Sequence, residues 1–266
     1  MNRITRTFAQ LNESGKKAFV AYVAAGDPDF DRSLEILKRL ADAGADILEL
    51  GLPFSDPLAD GIVNQLAAER ALKAGMTTKH VLDLIREFRK THETPLVLFT
   101  YLNPIFAYGF EQFQRDAVEA GADGILLLDL PPDEAGIGNG FDGNTGLLRI
   151  RLIAPNTPPE RAKMLASQAE GFIYALSRTG VTGAHGAPSA DIGALVTELK
   201  KHASVPVCVG FGISNAAQAR EVALAADGVI VGSALVKQVE LHAQEACPAD
   251  AVIHFAKDLI DAVHGA

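Results

Sequence analysis

The chain has 266 residues, a length that fits two average domains or one (β/α)8 barrel of about 250 residues. Apolar residues make up 48% and charged residues 21%, enough to bury a sizeable core, which excludes a disordered chain. Lys plus Arg number 24 against 33 Asp plus Glu, and the net charge of −9 has the wrong sign for gripping a nucleic-acid backbone.

The first segment, MNRITRTFAQLNESGKK, breaks its apolar residues with Arg3, Arg6 and Glu13, so it lacks the continuous apolar stretch of a signal peptide. Ile4, Phe8 and Leu11 recur at helical spacing and predict a helix that lids the bottom of a barrel. Eight short runs rich in Val, Ile and Leu follow, at 18–24, 46–50, 95–101, 124–130, 147–153, 171–177, 205–211 and 227–233. Most are apolar on both faces, as strands of a parallel sheet buried on both sides are. Segments of helical period separate them, such as Leu34, Leu37 and Leu40, then Val81, Leu84, Ile85 and Phe88, then Phe110, Phe113, Ala117 and Val118.

Eight alternations of strand and helix predict an α/β fold, a (β/α)8 TIM barrel with an extra N-terminal helix, spanning 1–266 as a single domain. The first turn, Ala25-Gly26-Asp27-Pro28, lacks the G-x-G-x-x-G of a dinucleotide-binding sheet. A faint echo marks the helix-to-strand joints: Ala43-Gly44-Ala45-Asp46, Ala120-Gly121-Ala122-Asp123 and Ala225-Ala226-Asp227. In the first two, the glycine is expected to end the helix. Five glycines within 133–146 predict a short or absent helix there. The next strand alternates Leu148, Ile150 and Leu152 with Arg149 and Arg151, as a strand with one wet side does, with Asp133 or Asp142 as possible arginine partners.

No uncharged apolar run approaches the ~18 residues of a membrane helix. Two cysteines, Cys208 and Cys247, make no disulfide framework and fit a reducing cytoplasm. The seven histidines show no metal-ligand spacing, so no metal is expected.

In a barrel the reactive face is the C-terminal end of the strands. Glu49 lies between Leu48 and Leu50, an apolar setting that disfavours its charged form and suits a general acid or base. A Glu paired to a cation inside the barrel fits the same strand. The loop that follows, 51–61, holds two carboxylates, two prolines and two glycines, and its Asp60 stands just before a helical pattern, where capping is the commoner role. Gly210-Phe211-Gly212-Ile213-Ser214 and Gly232-Ser233-Ala234 end the last two strands. Such turns either just permit tight bends or expose backbone N–H groups to a phosphate at the place where many barrels bind one.

The motifs LELGLPFSDPLADG at 48–61, Asn103-Pro104-Ile105, Asp129-Leu130-Pro131, Ser177-Arg178-Thr179-Gly180-Val181-Thr182-Gly183 and Gly210-Phe211-Gly212-Ile213-Ser214 together resemble the tryptophan synthase alpha subunit family. The resemblance implies a lyase that cleaves indole-3-glycerol phosphate to indole and glyceraldehyde 3-phosphate by a retro-aldol reaction. It also implies an α2β2 complex with a beta subunit that holds pyridoxal phosphate, and no cofactor in this chain. Carried over by position, Glu49 is the acid–base residue, and Asp60 pairs with the indole N–H. Gly183, Gly212, Gly232 and Ser233 match the phosphate grip, Tyr174 and Phe211 the indole pocket, and Thr182 the mobile lid over 178–189. Pro53, Asp56, Asn103, Pro104, Asp129 and Pro131 are the expected contacts of the beta subunit.

Four positions depart from the family pattern. Ile62 replaces a proline, Asn64 an apolar residue, Tyr22 a phenylalanine and Thr100 an aliphatic residue, the last three beside the expected substrate. A stand-alone lyase and a weakly active activator of a beta subunit are the alternative readings. A lysine Schiff-base aldolase is disfavoured, since the predicted strands contain no lysine.

Overall fold

The computed structural model describes residues 1–131, 146–177, 192–210 and 212–266. Among them the strands are β1 (Ala18–Ala24), β2 (Ile47–Gly51), β3 (Leu96–Thr100), β4 (Gly124–Leu127), β5 (Leu148–Arg149), β6 (Arg151–Ile153), β7 (Ile173–Leu176), β8 (Val207–Gly210) and β9 (Gly228–Val231). The helices begin with α1 (Arg3–Glu13), α2 (Phe30–Asp42), α3 (Ile62–Lys73), α4 (Thr78–Arg89), α5 (Leu102–Tyr108) and α6 (Phe110–Ala120). They continue with α7 (Pro159–Ser167), α8 (Ile192–Lys200), α9 (Ala216–Ala225), α10 (Ser233–His242) and α11 (Ala249–His264).

The strands pair in parallel in the order β5-β4-β3-β2-β1-β9-β8-β7-β6. β5 and β6 are two halves of one predicted strand: β5 bonds to β4 and β6 to β7, so the chain itself joins the two ends of the order at Ile150. The result is the expected barrel, with eight staves.

Strand period sorts the side chains into two layers. Phe19, Leu48, Leu50, Leu98, Val209 and Val229 point outward into the core shared with the surrounding helices. Val20, Ile47, Val97, Leu126, Ile150, Cys208 and Ile230 fill the interior, and Ile4, Phe8 and Leu11 of α1 close it from below. The N-terminal helix is therefore the predicted lid, capped at its start by Asn2, whose side chain accepts from the Ile4 N–H. Burying each of its three anchors contributes on the order of 1.5–3 kcal/mol.

The sequence echo at the helix-to-strand joints has a physical basis. Asp46, Asp123 and Asp227 each stand one residue or so before a strand and grip one residue of the neighbouring strand twice. The Asp backbone N–H donates to the C=O of Phe19, Leu96 and Val207 respectively, and the Asp carboxylate accepts from the N–H of the same residue at 2.7, 2.9 and 2.9 Å. Glu170 repeats the clamp on Arg149, whose N–H lies 2.8 Å from its carboxylate. Four carboxylates thus fix strand register at the N-terminal end of the barrel. Gly121 adopts φ +100° at the end of α6 and Gly44 φ +104° just after α2, as expected of glycines that end helices.

Leu148 and Leu152 pack with Ile150 on the interior, leaving Arg149 and Arg151 on the outer side, where both are half-buried. The expected loss of a helix within 133–146, and the partners Asp133 and Asp142, lie outside the described residues apart from Gly146. No described helix is long and apolar enough to cross a membrane.

Candidate active site

Because β2 carries its inward residues at Ile47, Glu49 and Gly51, the strand aims Glu49 into the barrel, at the register of Tyr22 on β1 and Val97 on β3. Glu49 is 0% exposed, and neither carboxyl oxygen has a hydrogen-bond partner among the described residues. The cation pairing that the strand also allowed is absent among them. Burial pushes its pKa up to about 8, so at neutral pH it is mostly a protonated acid with a donatable hydrogen.

Asp60 lines the same cavity. Its side chain is not the helix cap that its position suggested: Gly61 occupies the cap position of α3, with no side-chain cap bond. Instead its Oδ2 accepts from the Tyr101 hydroxyl at 2.7 Å, and its Oδ1 faces the Asn64 amide at 3.4 Å. Tyr101 in turn accepts from the Ala59 N–H at 3.0 Å, tying the loop to the end of β3. Burial raises the Asp60 pKa, and these two donors pull it back down. Tyr101 was not among the residues singled out from sequence; the only signal was an aromatic residue just before the Asn103-Pro104 turn.

The cavity at the C-terminal mouth has a volume of about 170 Å³. Glu49, Asp60, Asn64, Tyr22, Tyr174, Gly212, Gly232 and Ser233 line it, together with Ala59, Phe99, Leu128, Leu152, Leu176, Ile213 and Ile230. The apolar members were not predicted individually. Two glycines make the aromatic walls possible: a Cβ on Gly51 would run into the Tyr22 ring, and one on Gly210 into the Tyr174 ring. Tyr22 also packs edge-on against Phe99, with ring centroids 5.1 Å apart. Burial, with Asp60 and Glu49 nearby, holds both tyrosine hydroxyls well above their usual range, so they stay neutral donors.

The two predicted phosphate turns differ. Gly232 immediately precedes α10, whose first N–H groups have no capping side chain, and Gly232 and Ser233 both line the cavity. Gly212 has φ +74° with open space where a Cβ would stand, but α9 begins only at Ala216 and is capped by Asn215. Gly212 therefore belongs to a loop and not to a helix start. Thr100 is 1% exposed, spends its hydroxyl on the Tyr101 carbonyl and does not reach the cavity wall. Thr182, Gly183 and Phe211, with the lid at 178–189, lie outside the described residues.

The predicted partner residues gather on the same end of the barrel. Asp56, Asn103, Asp129 and Pro131 are exposed and Pro53 half-buried, whereas Pro104 is buried in α5 and offers no surface. Asp129 also accepts from the Leu102 N–H at 2.7 Å. Exposed Leu58 and Phe106, which were not singled out, and Ile62, noted above for replacing a proline, add apolar area there. Among the described residues no group of His, Cys, Asp and Glu could hold a metal ion.

A closed parallel barrel whose cavity is lined by a buried acid without a partner among the described residues, a second carboxylate and an uncapped helix start has the build of a (β/α)8 enzyme. The sequence pattern of the tryptophan synthase alpha chain matches residues 8–264. The chain belongs to the tryptophan synthase alpha chain family, and so is a lyase of tryptophan biosynthesis. It is 48% identical over 236 residues to the tryptophan synthase alpha chain of Opitutus terrae, covering 89% of each chain. It is 50% identical over 240 residues to that of Geobacter sp. strain M21, covering 90% of each. Among solved structures, the tryptophan synthase subunit alpha of Legionella pneumophila superposes with a TM-score of 0.90 at 40% identity over 100% of both chains. A tryptophan synthase chain of Mycobacterium tuberculosis gives 0.90 at 34% identity, covering 99% of this chain and 98% of that one.

Proposed function

We propose that the chain is a carbon–carbon lyase that splits indole-3-glycerol phosphate into indole and glyceraldehyde 3-phosphate. The observation that carries this reading is Glu49, a carboxyl without partners among the described residues, desolvated at the reactive end of the barrel. The cleavage needs a proton delivered to indole C3 and a proton removed from the hydroxyl of the attached carbon. The C3–carbon bond then breaks, its electrons return to the indole ring, and the alcohol carbon becomes the aldehyde. A carboxyl with a pKa of about 8 can give one proton and take the other near neutral pH.

Asp60, held in place by Tyr101 and Asn64, faces the indole N–H and stabilises the positive charge that C3 protonation creates. Tyr22 and Tyr174 wall the ring, and the uncapped start of α10 at Gly232 and Ser233 takes the phosphate with the Gly212 loop. Thr182, Gly183 and Phe211 are assigned to the lid and the remaining pocket on the family resemblance alone. The chemistry is proton transfer throughout and asks for no cofactor in this chain; pyridoxal phosphate belongs to the beta subunit. That partner docks on the rim formed by 53–60, Asn103 and the 129–131 turn, in an α2β2 assembly. The two unbridged cysteines fit work in the cytoplasm.

The test is indole release from indole-3-glycerol phosphate, measured with and without a beta subunit. Slow release that rises on adding the partner supports the reading. Full rate without a partner points to a stand-alone lyase, and no release in either case leaves only an activator.

A further inference from the structure

Helix α3 starts two residues after Asp60, yet the face it buries consists of Asn64, Ala67, Ala68 and Ala71. The next helix, α4, buries Val81, Leu82, Leu84, Ile85 and Phe88. An alanine methyl removes far less apolar area from water than a leucine or phenylalanine and interlocks little with what it packs against. Apolar packing alone therefore fixes the position of α3 along its own axis only weakly.

Hydrogen bonds supply the direction that packing lacks. Among the described residues, the side-chain hydrogen bonds that α3 makes outside itself reach two places, Asp60 and Asp27. Gln65 Nε2 donates to the Asp60 C=O at 2.8 Å and the Asn64 amide faces Asp60 Oδ1 at 3.4 Å, so Asp60 moves with the helix. Its other carboxylate oxygen is held by Tyr101, just past β3, at 2.7 Å, and a shift of α3 would pull against that bond. Arg70 donates from Nε and Nη2 to the two oxygens of Asp27, each at 2.8 Å. Asp27 is 3% exposed, in the turn after β1, where Gly26 leaves the room that the Met76 side chain fills. A bidentate pair admits one geometry, and desolvation offsets much of its attraction, so it contributes placement more than stability. The turn after β1 is the seat of α3.

We propose that Arg70 is a positioning residue for the cleavage: its fork on Asp27 sets α3 on the barrel and thereby sets the Asp60 carboxylate against the substrate. The inference rests on the reading above, in which Asp60 meets the indole N–H. Neither Arg70 nor Asp27 lines the cavity, so the pair acts through Asp60 and not on the substrate. Glu49 is placed by β2 between β1 and β3 and does not depend on α3. A displaced Asp60 fails a charge that exists only in the transition state, which lowers kcat more than it raises KM, and a shift of about 1 Å can cost up to about 100-fold.

Arg70→Lys keeps the charge and gives up the fork, and indole release from indole-3-glycerol phosphate by the full chain, taken per folded molecule, reads the effect. The expected result is a kcat lower by about tenfold with KM changed less than about twofold. In an Asp60→Asn background the same exchange is expected to change kcat less than about twofold, because the carboxylate it places is already gone. An equal loss in both backgrounds, as a general weakening of the fold would give, overturns the proposal, and so does no loss in either. Should Arg70→Lys fail to fold, the double exchange Asp27→Asn with Arg70→Gln, which leaves no buried charge unmatched, takes its place. Should the Asp60→Asn rate be too low to read, a crystal of the Arg70 variant decides: an Asp60 carboxylate displaced from Tyr101 with Glu49 in its wild-type place supports the proposal, and any other arrangement refutes it. A wild-type rate in Asp60→Asn alone removes the reading of Asp60 and this inference with it, whereas a slow Asp60→Asn beside an unaffected Arg70→Lys removes this inference alone.

Discussion

The carboxyls of the cavity and those of the N-terminal end of the barrel are treated in opposite ways; Asp27, buried just after β1, lies outside the cavity and is paired with Arg70 at 2.8 Å. At the N-terminal end Asp123 takes the Leu96 N–H at 2.9 Å, Arg89 at 2.6 Å and Arg3 at 3.1 Å, and Asp46 and Asp227 are matched by His264 at 2.8 Å and Lys200 at 2.6 Å. At the C-terminal end Glu49 has no partner among the described residues, and Asp60 has one strong donor and one long one. Burial by itself does not distinguish the ends, since desolvation raises the carboxyl pKa of Asp123 as well, against the pull of Arg89 and Arg3. Partners do. A carboxylate fully answered by backbone and side-chain partners holds the fold, and one left unanswered is available to a substrate.

Exchange at each end should therefore give opposite phenotypes. Glu49→Gln keeps the shape and removes the titrating proton, and turnover should fall by about 10²–10⁴-fold in an indole-release assay. Stability should move the other way with pH. The Glu49 pKa is raised in the folded state, so its contribution is present below the unfolded value near 4.5 and lost as pH rises toward 8. Glu49→Gln should thus gain on wild type in denaturant melts between those limits. Asp123→Asn should leave turnover per folded molecule nearly unchanged while costing about 3–5 kcal/mol, because Arg89, whose side chain is 9% exposed, loses its counter-charge. Equal losses of rate and stability in both variants would break the contrast.

Smaller changes sharpen it. Tyr101→Phe removes the best donor to Asp60 and the acceptor of the Ala59 N–H, and should lower kcat/KM by roughly tenfold with about 1 kcal/mol of stability lost. Lys200→Ala, at the side of Asp227 most open to water, should cost under about 1 kcal/mol in thermal melts, since Lys200 is 42% exposed and the clamp on Val207 remains.

Much of this was legible in the chain. Eight apolar runs give the staves, and Ile4, Phe8 and Leu11 give the lid, because period and burial act locally. The Asp at the helix-to-strand joints was visible as an echo, but its grip on a neighbouring strand is a tertiary fact. Glu49 between two leucines signalled a buried acid; whether a cation met it depended on residues distant in sequence. Asp60 misled in one respect: its place before α3 suggested a cap, yet the loop turns its side chain toward Tyr101, 41 residues on. Thr100 likewise stood at a pocket position and is drawn instead to its neighbour's carbonyl.

The central claim is that Glu49 is an unanswered, desolvated acid, and the most direct measurement is its own titration. The side-chain carboxyl carbon of Glu49, assigned by comparison with Glu49→Gln in protein labelled with 13C-glutamate, can be followed by NMR from acid to mildly alkaline pH. The account predicts a midpoint near 8. A midpoint in the ordinary glutamate range, near ~4.3, would mean that a partner or water meets the carboxylate after all, and would contradict it.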